Sequence, residues 1–254
     1  MTLARYRAVL CDLDGCLVSG TTLLPGAAAL VGAVRERLWI VSNNSTDTPA
    51  TLAGRLAAQG LAIAPERLLL AGALAVETVA AEHPGARIAL FAAAPLADHA
   101  RALGLRPVDE GPQIVLLARD TGLTYDRLQR LVAHVHGGLP FFVANPDATH
   151  PDAQGRPVPE TGALLQAVRS CVPDAAPRVI GKPDITLIET ALRRAAARAD
   201  EAVFIGDNPG TDGLGATRAG LDFIRVGPAG TPGTRRLADL LAVEAPDPAL
   251  AARR

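Results

Sequence analysis

Cys11-Asp12-Leu13-Asp14-Gly15-Cys16 closes the run Tyr6-Arg7-Ala8-Val9-Leu10, and the fold turns on how this junction is read. The run has the length and the apolar β-formers of a buried strand, so both carboxylates stand where that strand ends. Side chains alternate along a strand. If the chain is still extended, Asp12 and Asp14 point the same way, and Gly15 lets the backbone turn at once. Two acids on one face repel each other in an apolar setting unless a cation, a shared proton or solvent intervenes. On their own these six residues fit two readings, a solvated turn and a metal or catalytic site.

Composition narrows the class. The chain has 254 residues, 49% of them hydrophobic, which is enough for one large domain or two smaller ones. Its net charge is −1 with no basic run, so neither a nucleic-acid polymer nor a membrane surface is expected as partner. Leu23 to Val34 is broken by Pro25, Gly26 and Gly32; it is too short to span a bilayer and lacks the marks of a signal peptide. Cys11, Cys16 and Cys171 are an odd number without metal-type spacing, which fits a reducing cytoplasm. Of 25 Lys plus Arg residues only Lys182 is a lysine, in Gly181-Lys182-Pro183-Asp184. A compact point charge beside an anion is a place where guanidinium does not substitute.

Further along, Val18 to Leu24 reads as a flexible excursion and Pro25-Gly26 opens a helix through about Arg37. Leu38 to Val41 reads as a second buried strand, ending in Ser42-Asn43-Asn44-Ser45. Thr48 caps a helix with Pro49 in its first position and Gly60 as its stop. Ser42, Asn43 and Asn44 offer hydroxyl, amide and backbone donors at a strand's carboxyl end, where anions are held. From about Gly72 a second α/β pattern begins, with strands at Arg87 to Phe91, Ile114 to Ala118 and Phe141 to Ala144. Its loops hold Arg119-Asp120, Asn145-Pro146-Asp147 and His150, which also read as ordinary turns, and Pro151 to Pro159 reads as a surface loop. After Arg178 the first pattern resumes: Val179-Ile180 leads to Lys182, Asp184 caps a helix through Arg198, and Ala202 to Ile205 runs into Gly206-Asp207-Asn208-Pro209-Gly210-Thr211-Asp212.

These strand ends converge on one crevice in a doubly wound sheet. Asp12, Asp14, Ser42, Lys182, Asp207 and Asp212 then meet, a set that suits a hard divalent cation such as Mg²⁺ together with a phosphoryl group. Asp12 can attack phosphorus, Asp14 can serve as acid and base, and Ser42 and Lys182 can hold the phosphoryl oxygens.

Asp-Leu-Asp-Gly, Ser-Asn-Asn-Ser, Gly-Lys-Pro and Gly-Asp-Asn-x-x-Thr-Asp, in this order, resemble the four motifs of the haloacid dehalogenase superfamily, in the form found in its NagD-like subfamily IIA. The resemblance implies a Rossmann-like doubly wound parallel-sheet core over 1–72 and 179–254 with an α/β cap domain inserted over 73–178. It also implies a Mg²⁺-dependent phosphatase for a small phosphorylated metabolite. Asp12 is then nucleophile and metal ligand, Asp14 acid/base and carbonyl ligand, and Asp207 a metal ligand supported by Asn208 and Asp212. Asp120, Asn145 and Asp147 match cap positions facing the site, and such caps can dimerise. Cys16 stands where relatives carry Thr or Val, and tuning rather than loss of activity is expected of it; Pro209-Gly210 replaces longer residues inside the last motif, where altered flexibility of the metal loop is expected with both acids kept. A phospho-acceptor or ligand-binding protein without turnover is the alternative, although none of the four motif groups is missing.

Overall fold

The apolar runs Ala8–Cys11, Leu38–Ser42 and Ala202–Gly206 are buried on both faces, as interior strands of a parallel sheet covered by helices must be. The computed structural model describes residues 3–241 except 153, 155 and 229. In chain order the first layer comprises β1 (Ala8–Cys11), the hairpin β2 (Val18–Ser19) and β3 (Thr22–Leu23), α1 (Ala27–Val34), β4 (Leu38–Ser42), α2 (Pro49–Ala58), β5 (Leu68–Leu70) and α3 (Ala71–Glu82). The second comprises β6 (Arg87–Phe91), α4 (Ala94–Ala102), β7 (Arg106–Pro107), β8 (Ile114–Leu117), α5 (Tyr125–His136), β9 (Phe141–Val143), the hairpin β10 (Thr149–Pro151) and β11 (Pro157–Pro159), α6 (Thr161–Cys171) and β12 (Arg178–Val179). The chain then returns to the first layer through α7 (Thr186–Ala195), β13 (Ala202–Gly206), α8 (Leu214–Ala219) and β14 (Asp222–Arg225).

The first sheet has the order β14-β13-β1-β4-β5 and is parallel throughout. From β1 the chain moves one way to β4 and β5 and later the other way to β13 and β14. The carboxyl ends of β1 and β13 therefore flank the reversal point, the position where open α/β sheets hold ligands. The second sheet, β12-β9-β8-β6-β7, is also parallel. The layers are not separate cores. Ile88, Ile114, Leu116 and Phe142 of the second sheet join the buried cluster that holds Leu10, Ile40 and Phe204 of the first.

Several local expectations change. Val18 to Leu24 is a paired hairpin rather than a flexible excursion, with Val18 opposite Leu23. The α-helical part of the first helix stops at Val34 and continues as a 3-10 turn through Arg37. The expected surface loop begins and ends in the arms of a second hairpin, Thr149–Pro151 and Pro157–Pro159, in which His150 lies opposite Val158. Asp184 accepts the Thr186 N–H one residue ahead of the helix cap, and α7 ends at Ala195 because Ala196 turns left-handed, φ 48°. Val179, placed by its sequence at the start of the returning segment, pairs with Val143 in the second sheet. Beyond it Ile180 and Gly181 donate to the carbonyls of Val143 and Ala144, at 3.1 and 2.7 Å. The second sheet thus carries the chain to within one residue of Lys182.

Candidate active site

Asp12 follows β1 directly, and its backbone N–H still bonds the Ile205 carbonyl of β13 at 2.8 Å. Asp207 follows β13, and the turn Pro209–Gly213 brings Asp212 back over the strand end. Two glycines make this approach possible. At Gly15, with φ +81°, a Cβ would overlap Asp207 Oδ2, and at Gly206 one would overlap Asp212 Oδ2. In both places the backbone itself forms the wall of the site.

Lys182 stands between two of the acids. Its Nζ donates to Asp12 Oδ1 at 2.6 Å and to Asp212 Oδ1 at 2.7 Å, and the residue is only 2% exposed. Asp12 and Asp212 are themselves 7% and 1% exposed. Burial works against a charge on Lys182, yet the two carboxylates outweigh it and hold the amine protonated, above the usual lysine range. Burial pushes the Asp12 carboxyl up, a push that Lys182 opposes and Asp212 reinforces. The Asp207 carboxyl is pushed up to about 6, first by burial and then by the charge of Asp212. Carboxylate oxygens of Asp12, Asp207 and Asp212 lie within 4.8 Å of one another. Three hard oxygen donors with excess negative charge are the donor chemistry of a divalent cation such as Mg²⁺. Asp212, expected only to support the site, thus stands in the acidic cluster itself.

Asp14 lies beside that cluster rather than in it, open to solvent on one side; partial desolvation raises its carboxyl, against the lowering influence of Lys182, His150 and Arg55, and its charge also acts on Asp207. Ser42 is buried, and its Oγ accepts the Asn44 N–H at 3.1 Å, which leaves its own proton free to donate. Asn43 and Asn44, expected at the phosphate, use their side chains within the protein. Asn43 holds Lys182 from both sides of its backbone, accepting from its N–H at 2.8 Å and donating to its carbonyl at 2.9 Å. Asn44 accepts from the N–H groups of Thr46 and Asp47 and donates to the Asp47 carboxylate. The Asn208 side chain likewise accepts from Gly210 N–H, while its backbone N–H reaches Asp212 Oδ2 at 3.2 Å.

The second layer contributes unevenly. Asp147 accepts from Asn43 Nδ2 at 3.0 Å, and burial raises its carboxyl. Asn145 is buried and donates to the Asn43 carbonyl at 2.7 Å and to Ser45 Oγ at 3.0 Å, fastening the two layers together. The Asp120 carboxylate is taken by Arg127 at 2.7 Å and by the Gly122 N–H at 2.9 Å, so it braces a turn of the second layer. Sequence patterns carry no sign of Glu160, whose carboxylate stands 2.7 Å from His150 Nδ1 and 3.4 Å from Arg119. Nor do they single out Arg55 and Asp47, a pair at 3.2 Å whose charges both act on Asp14. Cys16 is buried with its sulfur 3.5 Å from that of Cys11, so it packs beneath the loop.

Comparison with known proteins agrees with this geometry. Residues 9–106 match the family described as haloacid dehalogenase-like hydrolase, and residues 179–251 match a second description of the same kind. A dihydroxyacetone phosphatase from Corynebacterium glutamicum is 27% identical over 85% of this chain and 79% of its own. The solved structure of NagD from Escherichia coli K-12 superimposes with a TM-score of 0.79 at 26% identity, covering 97% of this chain and 94% of that one. A glycerol phosphate phosphatase from Mycobacterium tuberculosis in complex with magnesium gives a TM-score of 0.80 at 29% identity, covering 91% and 73%. With its motif residues gathered at the reversal point of the first sheet, the chain belongs to the haloacid dehalogenase-like hydrolases, in their NagD-like subfamily IIA.

Proposed function

We propose that this phosphoric monoester hydrolase depends on Mg²⁺ and cleaves a small organic phosphomonoester by way of an aspartyl-phosphate on Asp12. The observation that carries the reading is the Lys182 ammonium held between Asp12 and Asp212 with Asp207 alongside, at the carboxyl ends of β1 and β13. A dihydroxyacetone phosphatase and a glycerol phosphate phosphatase among the relatives favour a small ester.

Asp12, Asp207 and Asp212 would hold the cation, which when bound offsets the charge of the carboxylates and of the phosphoryl group. Asp12 Oδ attacks phosphorus as the bond to the ester oxygen breaks. Asp14 gives its proton to the departing oxygen; its raised carboxyl and its open side suit that task. The same carboxylate then takes a proton from the water that cleaves the aspartyl-phosphate, which frees inorganic phosphate and restores Asp12. Ser42 Oγ and Lys182 Nζ donate to the phosphoryl oxygens, with Lys182 fixed by Asn43. The second layer, residues 73–178, acts as the cap that covers the substrate, with Asp147, His150 and Glu160 on its inner side.

Hydrolysis of 4-nitrophenyl phosphate with Mg²⁺, with EDTA and by Asp12→Asn tests the reading. EDTA should abolish turnover, and the variant should lose activity on the order of 10³-fold or more. Metal-independent turnover, or a fully active variant, contradicts it.

A further inference from the structure

The second sheet runs β7-β6-β8-β9-β12, which is the order 2-1-3-4-5 of a doubly wound sheet in its own right. Right-handed crossovers would place a helix between β7 and β8 on the face that α5 covers, because both connections move across the sheet in the same direction. No helix lies there among the described residues. A short loop, residues 108–113, takes its place, and β7 accompanies β6 only at Arg87 and Ile88. The far half of β6 is left without that neighbour, and a cavity of about 300 Å³ occupies the uncovered position.

Charge distinguishes this cavity from a packing defect. Arg127, Arg130 and His134, three, four and seven residues apart on α5, line it along one side and Arg101 of α4 lines the other; the wall is mostly polar, with a small apolar part from Pro107 and Val108, while the Phe91 ring lies beneath the Arg127 guanidinium. Asp109 is the one acid among the described residues of its wall. Arg127 is anchored from behind by Asp120 and also donates to the Leu90 carbonyl at 3.3 Å, where β7 no longer runs alongside. Arg101 pairs with Asp98 on the surface, an exposed contact of little energetic weight. The side chains of Arg130, which is exposed, and of His134, which is half-buried, have no hydrogen-bond or ion-pair partner among the described residues. The guanidinium groups of Arg127 and Arg130, one turn apart, repel one another weakly, and of the two only Arg127 has a carboxylate, Asp120, against it. None of the residues of this wall belongs to the Asp12 cluster.

We propose that this cavity is a second ligand site, which takes a compact phosphate-bearing anion with a small organic body. The guanidinium forks suit the phosphate oxygens. The small apolar part of the wall at Pro107 and Val108, and a volume at the lower end of the range for small-molecule sites, suit a body of no more than a few carbons.

The His134 imidazole reports on this site locally, whatever occupies Asp12. In the Mg²⁺-loaded protein its NMR resonance, identified by its loss in His134→Gln, is followed while inorganic phosphate or propylphosphonate is added at constant ionic strength set with chloride. A saturable shift is expected with propylphosphonate. In Arg130→Gln the apparent affinity should fall about tenfold with kcat and KM for 4-nitrophenyl phosphate unchanged. A shift with inorganic phosphate alone would keep the anion site but overturn the organic body. A resonance that stays still while either compound inhibits turnover, or an Arg130→Gln protein that binds as tightly as wild type, overturns the site itself.

Discussion

Lys182→Met keeps the length and the apolar stem of the side chain and removes only the ammonium. Two carboxylates that each accept from it, at 2.6 and 2.7 Å, then remain almost fully buried. Breaking a buried ion pair by deleting one partner costs about 3–5 kcal/mol, because the charge left behind has lost both water and its counter-ion. The two acids can escape part of that cost by retaining a proton. Burial and Asp212 already push the Asp12 carboxyl up, and without Lys182 nothing opposes them at close range. A group whose folded pKa is raised stabilises below its unfolded pKa and loses that contribution as pH rises through the folded value. One retained proton therefore makes the deficit grow with pH, by at most about 1.4 kcal/mol per pH unit while that proton is held. In the wild type the Lys182 contribution is flat over this window, since its pKa lies above the lysine range, while the raised Asp12 carboxyl already gives a fall of the same sign; the variant is expected to show the steeper one. Urea unfolding of both proteins in EDTA at pH 6, 7 and 8 measures the difference. A deficit below about 1 kcal/mol that does not grow with pH would refute the reasoning, whatever happened to activity.

Three further outcomes are expected. Gly206→Ala drives a methyl group into Asp212 Oδ2, so it should cost about 1–3 kcal/mol and weaken the thermal stabilisation by Mg²⁺, both read by calorimetry. Asp207, pushed up to about 6, contributes stability that is present below about pH 4 and lost as pH rises through 6 in metal-free protein. The Tm gain on adding Mg²⁺ should accordingly shrink below pH 6 as protons compete; a gain constant from pH 5 to 7.5 contradicts this. Asp120→Asn should lower stability by about 1–3 kcal/mol through loss of its partly buried pair with Arg127 and leave kcat/KM for 4-nitrophenyl phosphate within about twofold, which separates a brace from a substrate contact.

The acids of the site and its lysine are legible in the sequence because each follows a short buried apolar run, and parallel sheets bring such ends together. The lone lysine among arginines carries its own signal. It occupies the place between Asp12 and Asp212 where a compact ammonium is needed. β5 is not legible: Leu68 to Leu70 runs without punctuation into α3, and three leucines do not tell strand from helix. The Arg127 partner of Asp120 is not legible, because a strand-end acid looks the same whether it turns toward a ligand or toward an arginine seven residues later. Glu160 with His150, and Asn145 with Ser45, are contacts between separate elements or layers, which no periodic pattern encodes.

The suspension of Lys182 from the second sheet has a practical meaning for anyone recombining these enzymes. Ile180 and Gly181 hang on the carbonyls of Val143 and Ala144, and Asn43 grips the next peptide from the other layer. A chimera spliced at residue 178 would import a foreign sheet and keep a lysine whose tether it had cut. The seam that preserves the tether falls after Lys182, so the second layer and the ammonium it positions would be inherited as one piece.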